Sequence, residues 1–422
     1  MEQSCQELFC GDSFRQVRIL RNRDFRLLWT SNAVSGTGSW LLVVAIPFHV
    51  FTLTGSTFAT GLTLALESLP ALLLGPWAGV LLDRWNLSRA MWLADLASAG
   101  AVALILLANS ADRVWIVYLA VAAESLATTV FRPAARALTP SVVGTGGELA
   151  AANSLTALSG SVIRLAAPPL GAVLLAGPGI TFVLSIDIAS YLLSAAMIAT
   201  VSRRLPRPAS AEAEDRNGLL DGLRCVRRSK VLRGLLAGNG AFLTANAGLT
   251  ALLVPLTIGR LHAPGYAVGY LISGLGAGFL LGAAISTKAL TWLGVRDLLT
   301  ATQVATAVGF FALVNSPGVA CGIVAAALIG IPGSILLITA ETTVQRVAPA
   351  GMLARIGALF FAMDSLAVII GAVAAPALTS LAGLPTALNL LAASALLAAP
   401  ITLLAVPGHP AALSRPQSDR TP

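Results

Sequence analysis

The sequence has 422 residues, of which 56% are hydrophobic and only 11% are charged, and its mean hydropathy is +0.82. A soluble protein of this size carries roughly 25% charged residues, so this chain cannot cover its apolar surface in water. The net charge of +8 does not indicate a nucleic-acid partner, because the basic residues lie between apolar runs rather than in one patch. The composition therefore excludes a soluble fold and predicts an integral membrane protein.

Apolar runs bounded by Gly, Pro, Asn or charged residues recur along the whole chain. A membrane-spanning helix needs about 20 apolar residues, and the length holds about twelve such helices with short turns. We therefore predict an all-α integral membrane protein with twelve transmembrane helices in two pseudo-symmetric six-helix bundles. The predicted spans are 27–52, 57–82, 90–109, 114–138, 149–176, 180–201, 232–259, 267–290, 297–314, 318–344, 353–380 and 385–406.

Basic residues predict the orientation, because Lys and Arg accumulate in cytoplasmic loops. If the N-terminus is inside, the outer loops hold only Arg113 and Arg260, and Arg164 lies within a span. The other 24 of the 27 basic residues are then cytoplasmic. No small-residue cleavage site follows the first apolar run, so we expect no cleaved signal peptide. Both termini are predicted to be cytoplasmic, with the chain in the inner (plasma) membrane.

One long polar segment, residues 202–231, divides six spans from six. It is rich in charge and is predicted to be a cytoplasmic linker with an interfacial helix over 219–231. Similar short patterns end the fourth and tenth spans, at 136–140 and 345–349, which indicates a duplication. The expected parts are a cytoplasmic N-terminal segment 1–26, bundles 27–201 and 232–406, the linker, and a cytoplasmic tail 407–422.

The segment Gly79-Val-Leu-Leu-Asp83-Arg84 follows the second span. It resembles the Gly-x-x-x-Asp-Arg motif that major facilitator superfamily transporters carry between their second and third helices. Residues 23–29 before the first span and 151–155 in the fifth resemble one branch of that superfamily. This branch contains the macrolide-efflux and enterobactin-exporter proteins, among the twelve-helix drug:proton antiporters. The resemblance covers roughly residues 20–406.

The resemblance implies two bundles that rock around a central cavity, which opens alternately to each side. It also implies that the loop after the second span holds the bundles together on the cytoplasmic side. Relatives usually carry a basic pair where this chain has Leu87 and Ser88, so we expect a weaker or differently paired gate. Glu341 and Arg346, at the inner end of span ten, match a polar stripe on the fourth span and are predicted to be gate groups between the bundles. The predicted cytoplasmic gate residues are Gly79, Asp83, Arg84, Arg89, Glu341 and Arg346.

Charged side chains inside a span cost about 2.5–3.5 kcal/mol each on insertion scales, so they are usually paired or functional. Five such residues stand out: Glu67, Glu124, Arg164, Asp187 and Asp364. Glu124 and Arg164 lie at equal depth on consecutive antiparallel spans, which predicts an ion pair. This pair is either a static link between two helices or a coupling site, at which Glu124 alternates between Arg164 and a proton.

Glu67 lies within the second span, three residues before Pro70. A carboxyl in a low-dielectric site resists ionisation, so Glu67 is our first candidate for the residue that carries a coupled proton, and Asp364 is the next. The alternative is that Glu67 pairs with a hydroxyl of a neighbouring helix or with Arg164 and never titrates. Asp187, near the outer end of span six, is expected to reach the interface in a structural role.

The fourth span carries a polar stripe, because Glu124, Thr128, Arg132 and Arg136 repeat every four residues. Such a stripe is too costly to face lipid, and its lower half is predicted to line the cytoplasmic entrance. The alternative is that the two arginines anchor the helix to lipid phosphates.

Polar faces on the first and seventh spans are the predicted lining of the cavity. Hydroxyl and amide side chains also join helices to one another, so a packing role is the alternative. The residues are Asn32, Ser35, Ser39, Asn239, Asn246 and Thr250.

No phosphate-binding loop, catalytic triad or metal-ligand spacing occurs in the sequence, so we expect no enzyme activity, no cofactor and no metal. The leading hypothesis is a monomeric secondary transporter that exports a hydrophobic or amphipathic small molecule, such as a drug, antibiotic or secondary metabolite, by proton antiport. The alternatives are a siderophore or nutrient carrier, including a facilitator without proton coupling, and a membrane-embedded biosynthetic or signalling partner that transports nothing.

Overall fold

The computed structural model describes residues 19–82, 85–144, 147–201, 218–349 and 352–406, and all regular structure in these ranges is helical. Within these ranges, eleven helices are long and apolar enough to cross a membrane. A twelfth span results if the pair Lys230–Ala251 and Leu253–Gly259, bent by 48°, crosses as one. The all-α membrane fold predicted from the sequence is confirmed.

The helices of the first half begin and end close to the predicted spans. The third starts three residues before its predicted span, and the fourth continues through Pro133 and Pro140 to Val143. These helices are α1 (Arg23–Thr54), α2 (Thr57–Leu82), α3 (Leu87–Ile105), α4 (Val114–Val143), α5 (Gly147–Ala176) and α6 (Ile180–Ala199).

The second half opens with a short amphipathic helix, α7, which matches the interfacial helix expected within the linker. One predicted span is bent at Leu252, and another is interrupted by a two-residue turn at 396–397. The helices are α7 (Gly218–Arg228), α8 (Lys230–Ala251), α9 (Leu253–Gly259), α10 (Val268–Val314), α11 (Val319–Val347), α12 (Leu353–Ala382), α13 (Leu384–Ala395) and α14 (Ala398–Ala405).

The helix α10 contains two predicted spans and a break. Its backbone leaves the helical conformation only at Gly294, where φ is 73° and ψ is 170°. A side chain disfavours this left-handed region, so glycine lets the chain reverse without a longer loop. The predicted cytoplasmic loop is therefore much tighter than the sequence suggests. Just beyond it, Arg296 Nε lies 2.8 Å from Asp297 Oδ1.

The described residues form two compact units. The first takes in those of Met1–Ala45 and Trp77–Glu214, and the second those of Ile46–Pro76 and Asp215–Pro422. The contacts thus group residues 46–76 with the second unit, whereas the sequence suggests one boundary in the linker. The predicted domain bounds stay a prediction, and most of the linker, the first 18 residues and the tail after 406 lie outside the described residues.

The first unit is built around α3, which packs against α4 and α6. Its core contains Met91 from α3, Phe131 from α4 and Ile198 from α6, all buried. Asn86 starts α3, because its side chain accepts a hydrogen bond from the backbone N–H of Arg89. This cap satisfies a backbone donor at the helix start.

The second unit relies on close backbone contact between α10 and α11. At Gly278 an added Cβ would collide with the carbonyl of Ala327 and lie 2.9 Å from Gly330 Cα. Small residues let helices in a membrane approach to this distance. In the same unit, α12 packs against α8, and Ala65 of α2 joins a small cluster with Ala251 and Ala372.

Candidate functional site

A polar stripe on α6 points into the first unit. It consists of Asp187, Ser190, Tyr191 and Ser194, whose spacing of three or four residues places them on one helical face. Asp187 and Ser194 have no exposed surface, and Tyr191 retains 3%. The structure thus corrects the expectation that Asp187 reaches the membrane interface, because this side chain faces the interior of the unit.

Tyr191 joins three helices. Its hydroxyl donates a hydrogen bond of 2.6 Å to Glu124 Oε1 of α4. The same hydroxyl shares a hydrogen bond of 2.9 Å with Ser39 of α1. A buried tyrosine normally finds such partners for its hydroxyl. The charge of Glu124 also acts on Asp187, one turn before Tyr191.

Two aspartates complete this group. Asp95 of α3 accepts a hydrogen bond of 2.6 Å from Ser194 and is 2% exposed. Asp187 Oδ1 accepts a hydrogen bond of 3.3 Å from Ser190, while Asp187 Oδ2 is buried without a partner among the described residues. We refer to Asp95, Glu124, Asp187 and Tyr191 as the acid cluster.

Glycine at position 38 makes the cluster possible. A Cβ there would collide with the side chains of Asp187 and Ser190, and would lie 3.1 Å from Asp187 Cα. Only a residue without a side chain lets α1 approach α6 so closely. The close packing of α1 against α6 at Gly38 therefore holds Asp187 beside α1.

A cavity of about 220 Å³ lies within the first unit. The three residues predicted on the first span, Asn32, Ser35 and Ser39, all line it. Asp95 and Tyr191 of the acid cluster also contribute to its wall. Other lining residues include Trp29, Trp40, Thr128, Phe131, Arg132 and Ser159.

The predicted ion pair between Glu124 and Arg164 is wrong. Both side chains belong to the described part of the chain, and no ion pair joins them. The guanidinium of Arg164 lies over the ring of Trp40, 5.1 Å from its centre, and Glu124 binds Tyr191. Equal depth in the membrane fixes the height of a side chain, but the rotation of each helix about its axis decides which neighbour it meets.

The second unit holds a smaller polar contact. Asn239 Nδ2 of α8 donates a hydrogen bond of 2.7 Å to Asp364 Oδ1 of α12. Two other predicted residues, Asn246 and Thr250, line a cavity of about 40 Å³ whose other walls are apolar. The structure therefore brings Asn239 and Asp364 together and places Asn246 and Thr250 at a separate cavity.

Comparison with known proteins shows the family. Residues 16–418 match the family described as transmembrane secretion effector, within the major facilitator superfamily. The chain belongs to this family. The enterobactin exporter EntS of Escherichia coli is 27% identical over 355 residues, covering 82% of this chain and 83% of that protein. Macrolide efflux protein A of Streptococcus pyogenes is 26% identical over 309 residues, covering 69% of this chain and 75% of that protein.

Solved structures show the same fold. The nucleoside transporter NupG has a TM-score of 0.75 at 12% identity, covering 90% of this chain and 98% of that one. A bacterial homologue of the iron transporter ferroportin has a TM-score of 0.73 at 14% identity, with the same coverage. Family and relatives confirm the expectation of an efflux transporter of the major facilitator superfamily with a small-molecule substrate.

The predicted gate of this secretion effector is only partly described. Asp83 and Arg84 lie outside the described residues, and Gly79 lies in the last turns of α2. Arg89, Glu341 and Arg346 are exposed near helix ends. Their roles at a gate stay predictions.

Two of the proton-coupling candidates lie in the second unit. Glu67 has an exposed side chain on α2, whereas Asp364 is half-buried against Asn239. Arg164, the basic candidate, stacks on Trp40 in the first unit. Glu124 alone among the four candidates belongs to the acid cluster.

Two members of the acid cluster were not predicted from the sequence. Asp95 lies inside the predicted third span, and an acid at that depth is a signal in its own right. Tyr191 follows Asp187 by four residues, so the polar stripe of α6 was readable from helical spacing. What the spacing did not contain was the identity of the partners on α1, α3 and α4.

Proposed function

We propose that this protein exports a hydrophobic or amphipathic small molecule by alternating access, driven by protons that bind at Glu124. The observation that carries the proposal is the hydrogen bond of 2.6 Å between Glu124 and Tyr191, next to the buried Asp187. Charged carboxylates held together away from water repel one another, and a shared proton relieves that repulsion. The acid cluster can therefore exchange a proton where it meets a cavity.

The acid cluster can also transmit a change in protonation to the helices that it joins. It joins α1, α3, α4 and α6, so the loss or gain of one proton changes contacts among four helices at once. Two conformations exchange populations when a ligand favours one of them by a few kcal/mol. We infer that proton binding at Glu124 supplies this bias, in place of the coupling first expected at Glu67.

The orientation and the gate belong to the same proposal. The arginine distribution supports cytoplasmic termini and an inner-membrane location, and the motif around Asp83 supports a cytoplasmic gate. Asp83→Asn is expected to slow transport strongly at equal protein level. Unchanged transport in vesicles would contradict the role of this loop.

The test of coupling uses purified protein in liposomes with a pH gradient and an internal pH dye. Three amphipathic probes are offered separately: ethidium, Nile red and anilinonaphthalene sulfonate. We expect wild-type protein to accumulate at least one probe against its gradient and to lose this ability when an uncoupler is added. Glu124→Gln should abolish uphill accumulation but still let the probe equilibrate.

The matched control is Asp112→Asn, a carboxyl-to-amide change at an exposed residue of the loop before α4. Uphill accumulation by Glu124→Gln that collapses on adding an uncoupler would exclude Glu124. Glu67→Gln and then Asp364→Asn are tested in the same assay. If the uncoupler does not change probe transport by the wild-type protein, the result would instead favour the alternative of a facilitator without proton coupling.

A further inference from the structure

Two arginines beside the cavity of the first unit have no hydrogen-bond acceptor among the described residues. Arg132 lines the cavity from α4, and Arg164 of α5 lies over Trp40, another lining residue. Their positive charges act on each other, and both side chains are exposed. Within the described part of the chain, neither guanidinium forms a hydrogen bond or an ion pair. Guanidinium N–H groups form strong paired hydrogen bonds with carboxylates and similar anions.

The acids near the cavity bind hydroxyl groups of α6, although the charge of Arg132 also acts on Glu124. Glu124 accepts a hydrogen bond from Tyr191, and Asp95 accepts one from Ser194. Asp95 is only 2% exposed, whereas Arg132 is exposed at the cavity. Among the described lining residues, the exposed charged side chain is therefore that of Arg132.

The same wall presents aromatic rings. Trp29 is held by a hydrogen bond of 2.9 Å from its Nε1 to Ser159, so its ring has a fixed orientation. Trp40 carries Arg164 on one face, and a planar guanidinium can stack on a ring while its N–H edges remain available. At about 220 Å³, the cavity is below the usual range of ligand pockets, about 300–1,000 Å³. It suits a group of one or two rings.

We propose that this cavity binds the anionic, aromatic part of the exported molecule, with Arg132 and Arg164 at its negative charge and Trp29 and Trp40 beside its ring. The inference rests on the proposed export function and adds the substrate class, an aromatic organic anion. The hydroxyl and amide groups of Asn32, Ser35 and Thr128 are available for further polar contacts.

The test is equilibrium binding to purified full-length protein in detergent. The probes are naphthoate, naphthamide and naphthylmethylammonium, which share one ring system and differ in charge. We expect naphthoate to bind about tenfold or more tightly than naphthamide, and the cation to bind weakest. Arg132→Gln and Arg164→Gln should each weaken naphthoate binding about tenfold, which corresponds to about 1.4 kcal/mol, and leave naphthamide binding unchanged.

The matched control is Arg136→Gln, one turn beyond Arg132 on α4. Arg136 is exposed, and within the described structure it neither lines the cavity, as Arg132 does, nor lies over a lining ring, as Arg164 does. If this control weakens naphthoate as much as the other two changes, general surface charge explains binding and the proposal fails. It also fails if naphthoate and naphthamide bind alike, or if the cation binds best. Should Arg164→Gln fail to fold, Arg164→Lys keeps the charge but not the planar stack, and is expected to weaken naphthoate less than Arg132→Gln does.

This assay needs no proton gradient, so it separates the two proposals. Naphthoate selectivity without uphill transport in liposomes would support the anion site and contradict proton-driven export. Uphill transport of ethidium alone, without selective binding of naphthoate, would support proton-driven export and contradict the anion site.

Discussion

The two units of this transporter use polar contacts inside the membrane in different ways. In the first, four helices meet at three carboxyl groups and a tyrosine, beside a cavity of about 220 Å³. In the second, one amide binds one carboxyl, and the cavity of about 40 Å³ is mainly apolar. The two units therefore differ in how their buried polar groups are paired.

This difference shows where the first unit is most sensitive. Its acid cluster depends on a close approach of α1 to α6 and on one hydroxyl shared by two helices. In the second unit, a chain of side-chain hydrogen bonds from Arg260 through Asn315 to Asn389 is exposed at helix ends rather than buried. We therefore expect changes in the first unit to cost more than matched changes in the second.

The largest effect is expected for Gly38→Ala. The added Cβ would collide with Asp187 and Ser190 and approach the α6 backbone, so the two helices must separate. We expect a loss of about 3 kcal/mol or more in unfolding free energy, at the upper end for overpacking, measured by unfolding in detergent. Gly36→Ala is the control, since its Cβ would lie 3.9 Å from Ile163.

The corresponding change in the second unit is Gly240→Ala. There the new Cβ would lie 3.2 Å from the end of the flexible Met363 side chain, which can move aside. We expect a clearly smaller loss. Equal losses for Gly38→Ala and Gly240→Ala would show that the two units tolerate crowding alike.

An intermediate effect is expected for Tyr191→Phe. It leaves Glu124 without the hydroxyl donor, and an unsatisfied buried group costs about 1–3 kcal/mol. Asn239→Leu also removes a donor, from Asp364, but eliminates the buried Asn239 Oδ1, which has no partner among the described residues. Since these effects offset each other, its cost should stay below about 1 kcal/mol. A larger loss for Asn239→Leu in thermal unfolding would reverse the comparison.

The smallest effects are expected at the helix caps. Asn86→Ala removes the side chain that caps α3 at 3.0 Å, and Ser229→Ala removes the one that caps α8 at 3.3 Å. Each should cost about 0.5 kcal/mol, the lower end of the range for helix caps, as measured by unfolding, because water can replace the lost acceptor at these helix ends. We expect the longer Ser229 contact to matter less, and the opposite order would contradict this distance argument.

Much of the fold was predictable because few backbone structures are stable in lipid. A backbone in hydrocarbon must satisfy its own hydrogen bonds, so each long apolar run becomes a helix. The second predicted span, 57–82, has the observed bounds. The third helix begins three residues before its predicted start because Asn86 caps it there. Residues 291–296 were expected to form a loop between two spans. Instead the helical conformation is interrupted only at Gly294, because glycine readily adopts a positive φ.

The candidate site was predictable only in part. Helical spacing identified the polar face of Asn32, Ser35 and Ser39, and depth identified Glu124 as an intramembrane acid. Neither spacing nor depth indicated that Glu124 binds Tyr191 or that Arg164 stacks on Trp40. These contacts depend on the angle of each helix about its own axis and on its distance from its neighbours.

The sequence by itself determined the membrane location, the position of the spans, the duplicated plan and the superfamily, because each of these follows from local composition or a short motif. Tertiary structure decided which polar side chains meet. Gly38 sets the distance between α1 and α6, and packing around α3 sets the rotation that brings Asp95 to Ser194. Interhelical distance and rotation are properties of whole packed helices, and no single segment of the sequence contains them.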